Sequence, residues 1–279
     1  MLSLYSPAKI NLFLQILARR SDGYHQLATL MQTIGLADQL HIELADRDVL
    51  TCTDSTIPTD ETNLVRKASK LFRQVSGLNV HCNVHLEKKI PHQAGLGGGS
   101  SNAATTLWAL NQLTGKSFTT QQLLEMSAQI GSDIPFFFSE GTAYCSGRGE
   151  IVESVAYAPA ELVTIVKPVE GLATALIYKS LNLDGVCKKC PEEVLKSFKQ
   201  HNQEPLHFND LEKPAFANMP SLASLKNTLC QTGFKTVLMS GSGSAFFCLG
   251  EGNLDHLPTN LYSCSTRFIK RTPDSWYTL

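Results

Sequence analysis

Pro91-His-Gln-Ala-Gly95-Leu-Gly97-Gly98-Gly99-Ser100-Ser101-Asn102-Ala103-Ala104 puts four glycines into five positions. An alternating run (Val80, Cys82, Val84, Leu86) precedes it, and a helical apolar run (Ala104, Leu107, Leu110) follows. A strand that passes through clustered glycines into a helix makes a corner where backbone N–H groups converge. The helix N-terminus adds its positive end, so an anionic phosphate is stabilised there. Ser100 and Ser101 offer helix caps, and hydroxyls for phosphate or a hydrated Mg2+. A tight corner without a ligand is the plain alternative, although a corner alone seldom needs three consecutive glycines.

The commoner nucleotide loops do not fit. A dinucleotide fingerprint starting at Gly95 would need glycine where Ser100 stands, and the protein-kinase glycine loop fails on the same residue. No Gly-Lys-Ser/Thr closes the stretch as a Walker loop would. Gly115-Lys116-Ser117 imitates that ending, but its first glycine would have to be Leu110, inside a helix.

Working outward, Lys9, Asn11, Phe13 and Gln15 interleave with Ile10, Leu12, Leu14 and Ile16. A period of two predicts a strand with Lys9 and Asn11 on one face and the aliphatic set on the other. Asp22-Gly23 predicts a turn, and Leu40, Ile42 and Leu44 a further strand. A helical stripe from Leu64 to Val75 opens at Asn63 and closes at Gly77. The helix after the glycines is expected to start at Ser100 or Ser101. Another runs from Leu123 to Ile130, with Thr119 or Thr120 at its cap and Gly131 at its stop.

Residues 157–160, with Pro159, are the expected boundary between two lobes, 1–157 and 158–279. Beyond them the pattern predicts a strand over 162–166, a helix over 176–181, a poorly apolar segment over 184–204 and a helix over 221–229. Two apolar runs, 234–239 and 245–249, complete the second lobe. Strands and helices are interspersed without a parallel-barrel beat, so the fold class read here is α+β.

Four further features carry candidate chemistry. Gly131-Ser-Asp133-Ile-Pro135 places an acid just past a helix stop and before an apolar run; Asp133 is a general base held in a cleft, or a turn residue bonding local backbone. Lys9 is a half-buried cation beside a carboxylate, or a snorkelling strand lysine. Ser240-Gly241-Ser242-Gly243-Ser244 between two strands is a hairpin turn, the favoured reading, or a second backbone cradle near phosphate. Tyr24-His25 suits a flat heterocycle, or is an ordinary exposed pair. Cys187-Lys-Lys-Cys190 has zinc-knuckle spacing but no second pair at finger distance, so it reads as chance.

The 279 residues bound these readings. Hydrophobic residues make up 43%, enough for a real core. A formal charge of -1 leaves no basic field for nucleic acid or an anionic membrane surface. Eight scattered cysteines, mostly in apolar runs, read as reduced packed thiols. The sequence starts without a basic-then-apolar leader and holds no run of about 18 apolar residues, so a cytoplasmic protein is expected.

Taken in order, Pro7-Ala-Lys9-Ile-Asn11-Leu, residues 91–104 and Ser240 to Ser244 resemble the three motifs of the GHMP small-molecule kinases. Arg20-Ser-Asp-Gly-Tyr-His25 and Gly131-Ser-Asp-Ile-Pro135 narrow the resemblance to the branch acting on a cytidine-diphospho-methylerythritol of the non-mevalonate isoprenoid route. The likeness spans nearly the whole chain, is dense to about residue 150 and thins over 184–204. It implies a two-lobed fold, with an N-terminal lobe like ribosomal protein S5 domain 2, a ferredoxin-like C-terminal lobe and a site in the cleft.

The resemblance also implies ATP-dependent phosphoryl transfer to the 2-hydroxyl of the erythritol unit, with Mg2+. Asp133 would be the base and Lys9 its partner. Pro91, Gly95, Leu96, Gly97, Gly98, Gly99, Ser100 and Ser101 would hold the nucleotide. Tyr24 would stack on cytosine, His25 hydrogen-bond it and Tyr178 close its other face, where the family often has Phe. Asn11 would orient the erythritol, with Gly241 and Ser242 also on the substrate. The expected partner is that small molecule alone, bound by a monomer or weak homodimer. Gln93 and Ala245 depart from the family pattern without removing a backbone phosphate donor. Kinases for homoserine, mevalonate or galactose, and a non-catalytic ligand sensor, are the alternatives.

Overall fold

The computed structural model describes residues 1–156, 161–200 and 204–279. The expected lobe boundary at 157–160 therefore lies outside the described residues. Two sheets carry the fold. β1 (Leu2–Arg19) pairs antiparallel along nearly the whole of β2 (His25–Ala45), and the Arg20 N–H closes the intervening turn onto the Tyr24 carbonyl at 2.8 Å. β2 is the spine of the first sheet. Its C-terminal half pairs β4 (His81–Glu87), which carries β3 (Val49–Cys52), and its N-terminal half pairs β5 (Thr142–Ser146), which carries β6 (Ile151–Ser154).

Helices α1 (Leu64–Ser76) and α2 (Gly98–Leu113) pack on this sheet, burying Ala68, Phe72, Leu107 and Trp108 against Leu40, Ile42, Val84 and Leu86. The caps of α1 are the expected ones: Asn63 accepts from the Val65 N–H, and Gly77 ends the helix at φ +69°. α3 (Thr120–Ser127) opens with a reciprocal Thr119–Gln122 capping box and stops three residues short of the expected Ile130, which lies in a turn.

The second sheet has the order β10 (Tyr262–Arg267), β7 (Leu162–Lys167), β9 (Phe246–Leu249), β8 (Thr236–Met239), all antiparallel. With it go α4 (Thr174–Lys179), α5 (Pro191–Lys199), α6 (Glu212–Asn218) and α7 (Pro220–Cys230). Within the poorly apolar segment, residues 184–200 thus hold a helix that composition does not announce. α5 buries only Val194, Ser197 and Phe198, a stripe too narrow to stand out among its charges. The architecture is α+β.

Strict alternation along β1 fails after Asn11. Asn11 faces Met31 and Phe13 faces Leu30, so Leu12 is an extra residue, a β-bulge. The bulge inverts the faces beyond it. Phe13 joins Ile10 and Leu12 in the core shared with Val163, Ile165 and Phe247 of the second sheet, whereas Leu14 and Ile16 pack with Val166, Ile177 and Phe246. All eight cysteines are free. Among the described residues no helix is long and apolar enough to cross a membrane.

Candidate active site

The helix after the glycines starts at least two residues earlier than its serines predict. Gly97 (φ +70°) is the N-cap and α2 starts at Gly98. Gly97 supplies no side-chain cap and the first turn holds no acid, so the leading amides and the helix dipole are left for an anion. The glycines are needed for close approach. A Cβ on Gly97 would stand 2.8 Å from Lys9 Cγ, and one on Gly95 (φ +72°) would stand 2.0 Å from the Ser240 carbonyl oxygen. Ser101, expected to touch the nucleotide, lies one layer deeper: it is wholly buried and its Oγ has no hydrogen-bond partner.

Residues 240–244 form the hairpin turn, the favoured reading of the sequence. They turn β8 into β9, closing with Ser240 N–H on the Ala245 carbonyl, and they lie against the glycine stretch. Ser240 Oγ donates to the Gly95 carbonyl at 3.0 Å, Ala245 N–H to that of Ala94, and Ser244 N–H to that of Gln93. Gln93 sits at φ +50° with its side chain over Gly171, where a Cβ would come within 2.6 Å of Oε1. The residue that departs from the family pattern therefore joins the glycine stretch to Leu172 and Ser244, whose N–H groups both donate to its carbonyl.

These elements enclose a cavity of about 930 Å3. Pro91 and residues 95–100 form one wall, and Gly241 and Ser242 another. Lys9, on β1, and Asp133, in the turn after α3, meet at its floor with Nζ to Oδ2 3.4 Å. Lys9 is 3% exposed. Its Nζ also donates to Asn11 Oδ1 at 2.6 Å, Asn11 Nδ2 donates to Thr29 Oγ1 at 2.9 Å, and Thr29 donates to the Phe13 carbonyl. That relay fixes the ammonium against the carboxylate, and the Asp133 side chain stays 36% exposed toward the cavity.

Tyr24, His25 and Tyr178 line the cavity too. The His25 and Tyr178 rings lie 5.4 Å apart, tilted by 34°, and the Arg148 guanidinium covers the Tyr24 ring at 5.0 Å. Burial, then the Arg19 charge, pushes the His25 pKa down, so the ring is neutral near neutral pH. Burial, with Asp133 adding to it, raises the Tyr178 hydroxyl. Arg148 and Lys88, both on the cavity, escaped the sequence reading. Arg148 stands between two glycines, Gly147 and Gly149, and Lys88 shortly before Pro91; those settings were the available signals.

Among the described residues Asp133 is the only carboxylate on the cavity, which Lys9, Arg19, Lys88, Arg148 and Lys179 also line. The site is built for anions. Among the described residues no group of three or more His, Cys, Asp or Glu could hold a metal ion.

The family model of the GHMP kinases N terminal domain matches residues 63–141. A 4-diphosphocytidyl-2-C-methyl-D-erythritol kinase of Protochlamydia amoebophila (strain UWE25) is 51% identical over 274 residues, 98% of this chain and 92% of that protein. A crystal structure of 4-(cytidine 5'-diphospho)-2C-methyl-D-erythritol kinase superposes with a TM-score of 0.80 at 33% identity, covering 96% of this chain and 99% of the other. A mevalonate kinase structure reaches 0.67 at 15% identity, covering 97% of this chain and 100% of the other, and so shares the fold alone. The chain belongs to the GHMP kinases, and among them to the 4-diphosphocytidyl-2-C-methyl-D-erythritol kinases.

Proposed function

We propose that the protein transfers the γ-phosphoryl group of ATP to the 2-hydroxyl of 4-diphosphocytidyl-2-C-methyl-D-erythritol, in the non-mevalonate route to isoprenoid precursors. The observation that carries this reading is the Lys9–Asp133 pair at the floor of a cavity walled by the glycine stretch on one side and by Tyr24, His25 and Tyr178 on another.

Asp133 accepts the proton of the 2-hydroxyl as that oxygen attacks phosphorus. Lys9, 3.4 Å from the carboxylate, holds it in place and stabilises the developing alkoxide. The amides opening α2, with Pro91, Gly95, Leu96 and residues 97–100, hold the phosphates in line with the hydroxyl. Ser101, with its unpartnered buried hydroxyl, supports that turn from beneath. Among the described residues the one carboxylate on the cavity is engaged by Lys9, so Mg2+ would be held by the phosphates, with the Ser100 hydroxyl on the cavity wall as the nearby protein oxygen. When bound, the ion neutralises charge on the transferring group.

At the other end Tyr24 and Tyr178 sandwich the cytosine and His25 hydrogen-bonds its edge. Asn11, Gly241 and Ser242 position the erythritol. The lobes are 1–157, bearing the nucleotide loop, and 158–279, and a cytoplasmic, nucleic-acid-free monomer or weak homodimer is the form we assign. The test is product analysis. Incubation with ATP, Mg2+ and the cytidylylated alcohol should give one new phosphomonoester whose 31P signal couples to carbon 2 of the methylerythritol. A phosphate on any other hydroxyl would overturn the placement.

A further inference from the structure

One buried carboxylate plays no part in that mechanism. Asp38, on β2, is wholly buried, and all four donors on its two oxygens come from the segments flanking the glycine stretch. On the strand side, Oδ1 accepts from the Lys89 and Ile90 N–H groups, each at 2.8 Å. Oδ2 accepts from Lys88 Nζ at 2.5 Å. On the helix side, Oδ2 accepts from Asn102 Nδ2 at 2.9 Å. Asp38 is thus a single post to which the chain is tied before and after the phosphate loop.

Lys88 gives the post a chemical consequence. Its side chain is 8% exposed and lines the cavity, and a Cβ on Gly98 would stand 3.2 Å from Nζ. An ammonium is therefore held at the first residue of α2, where the helix dipole is already positive. Alone, those two would repel each other. Asp38 offsets the repulsion from behind, and an anion entering the loop meets both positive ends at once.

We propose that Asp38 is a positioning residue for the nucleotide phosphates: it presses Lys88 against the start of α2 and locks residues 88–90 to Asn102, so that the glycine stretch stays open at phosphate width. This rests on the reading of that stretch as the ATP site. A mere fold anchor would affect both ligands alike; a positioning residue for phosphate affects ATP alone.

The experiment uses the full-length protein and measures the dissociation constants of ATP–Mg2+ and of the cytidylylated alcohol, with melting temperature alongside. Asp38→Asn cannot accept on both oxygens, so it loses Lys88 and Asn102 or the two amides. ATP affinity should fall about tenfold or more, the scale of one charge-assisted hydrogen bond, while the alcohol stays within about twofold. Lys88→Met should show the same selective loss, and the double variant should fall no further than the worse single one. Unchanged ATP affinity in a folded Asp38→Asn, or equal losses for both ligands in step with melting temperature, would overturn the proposal. If Asp38→Asn does not fold, Lys88→Met decides in the same way. Absence of turnover in a wild type that still binds ATP would count against the proposed function, while the ATP measurements would still judge Asp38.

Discussion

Lys9 sits in the interior with its charge answered on two sides, by Asn11 at 2.6 Å and Asp133 at 3.4 Å. Removing the carboxylate charge while keeping its shape isolates the proposed base. Asp133→Asn should lower turnover by about 10²–10⁴ and leave ATP binding intact; near-normal turnover by the pure variant would falsify the role. His25 gives a pH dependence. Its pKa is depressed, so the neutral ring persists as pH falls through about 6.5 and protonates only below that. The KM for the cytidylylated alcohol should be flat above about pH 6.5 and rise on further acidification, with the KM for ATP unaffected; a KM flat down to pH 5 would contradict a hydrogen bond from cytosine to the neutral ring. Neither Lys9 nor Asp133 was legible alone, because a strand lysine and a turn aspartate have ordinary uses. The resemblance singles them out, Lys9 through Pro7-Ala-Lys9-Ile-Asn11-Leu and Asp133 through Gly131-Ser-Asp-Ile-Pro135. Arg148 and Lys88 went unread because their partners, Tyr24 and Asp38, are distant in sequence.

At the scale of elements, the glycine stretch is legible since its φ values and close approaches admit little else. The start of α2 was misread by two residues because Ser100 and Ser101 look like caps, whereas Gly97 closes the turn through its left-handed backbone. The β1 bulge was illegible for a different reason. The strand is buried on both faces over residues 6–16, and Phe13 follows the polar Lys9 and Asn11, so nothing in the pattern marks where alternation inverts. Gly95 gives the sharpest element-level test. Alanine there must hold a left-handed φ and stand 2.0 Å from a backbone oxygen. Gly95→Ala should lose about 3 kcal/mol or more of stability and most ATP affinity, because the glycine stretch must move off residues 240–244. A melting temperature and ATP affinity like wild type would show that those contacts are dispensable.

Across the whole molecule, the core between the sheets mixes Ile10, Leu12 and Phe13 with Val163, Ile165 and Phe247. The Leu14 N–H donates to the Phe208 carbonyl and the Asp210 N–H to that of Leu14. Calorimetry should therefore show one cooperative unfolding transition; two separated transitions would mean that the lobes are stable apart. His207 ties the lobes by donating Nδ1–H to the Leu12 carbonyl at 3.0 Å, and burial lowers its pKa. With the folded pKa below the unfolded one, the unfolded chain binds the proton first, so stability is full above about pH 6.5 and declines as pH falls below it. His207→Asn should flatten part of that decline in melting temperature; an identical slope would remove His207 from the acid response. The α+β class was plain from the order of elements, but the shared core was not, since it depends on a bulge and a long β2 whose pairings are invisible in one sequence.

In the proposed function, the pocket of Tyr24, His25 and Tyr178 selects a cytidylylated alcohol for the Lys9–Asp133 pair to phosphorylate. ADP release by the purified protein with ATP and Mg2+ tests it, comparing cytidine-diphospho-methylerythritol with homoserine, mevalonate and galactose. Turnover with the cytidylylated compound alone is the expected result. Turnover with one of the other alcohols would keep the phosphate loop and remove the cytosine pocket, and silence with all four despite ATP binding would contradict the account.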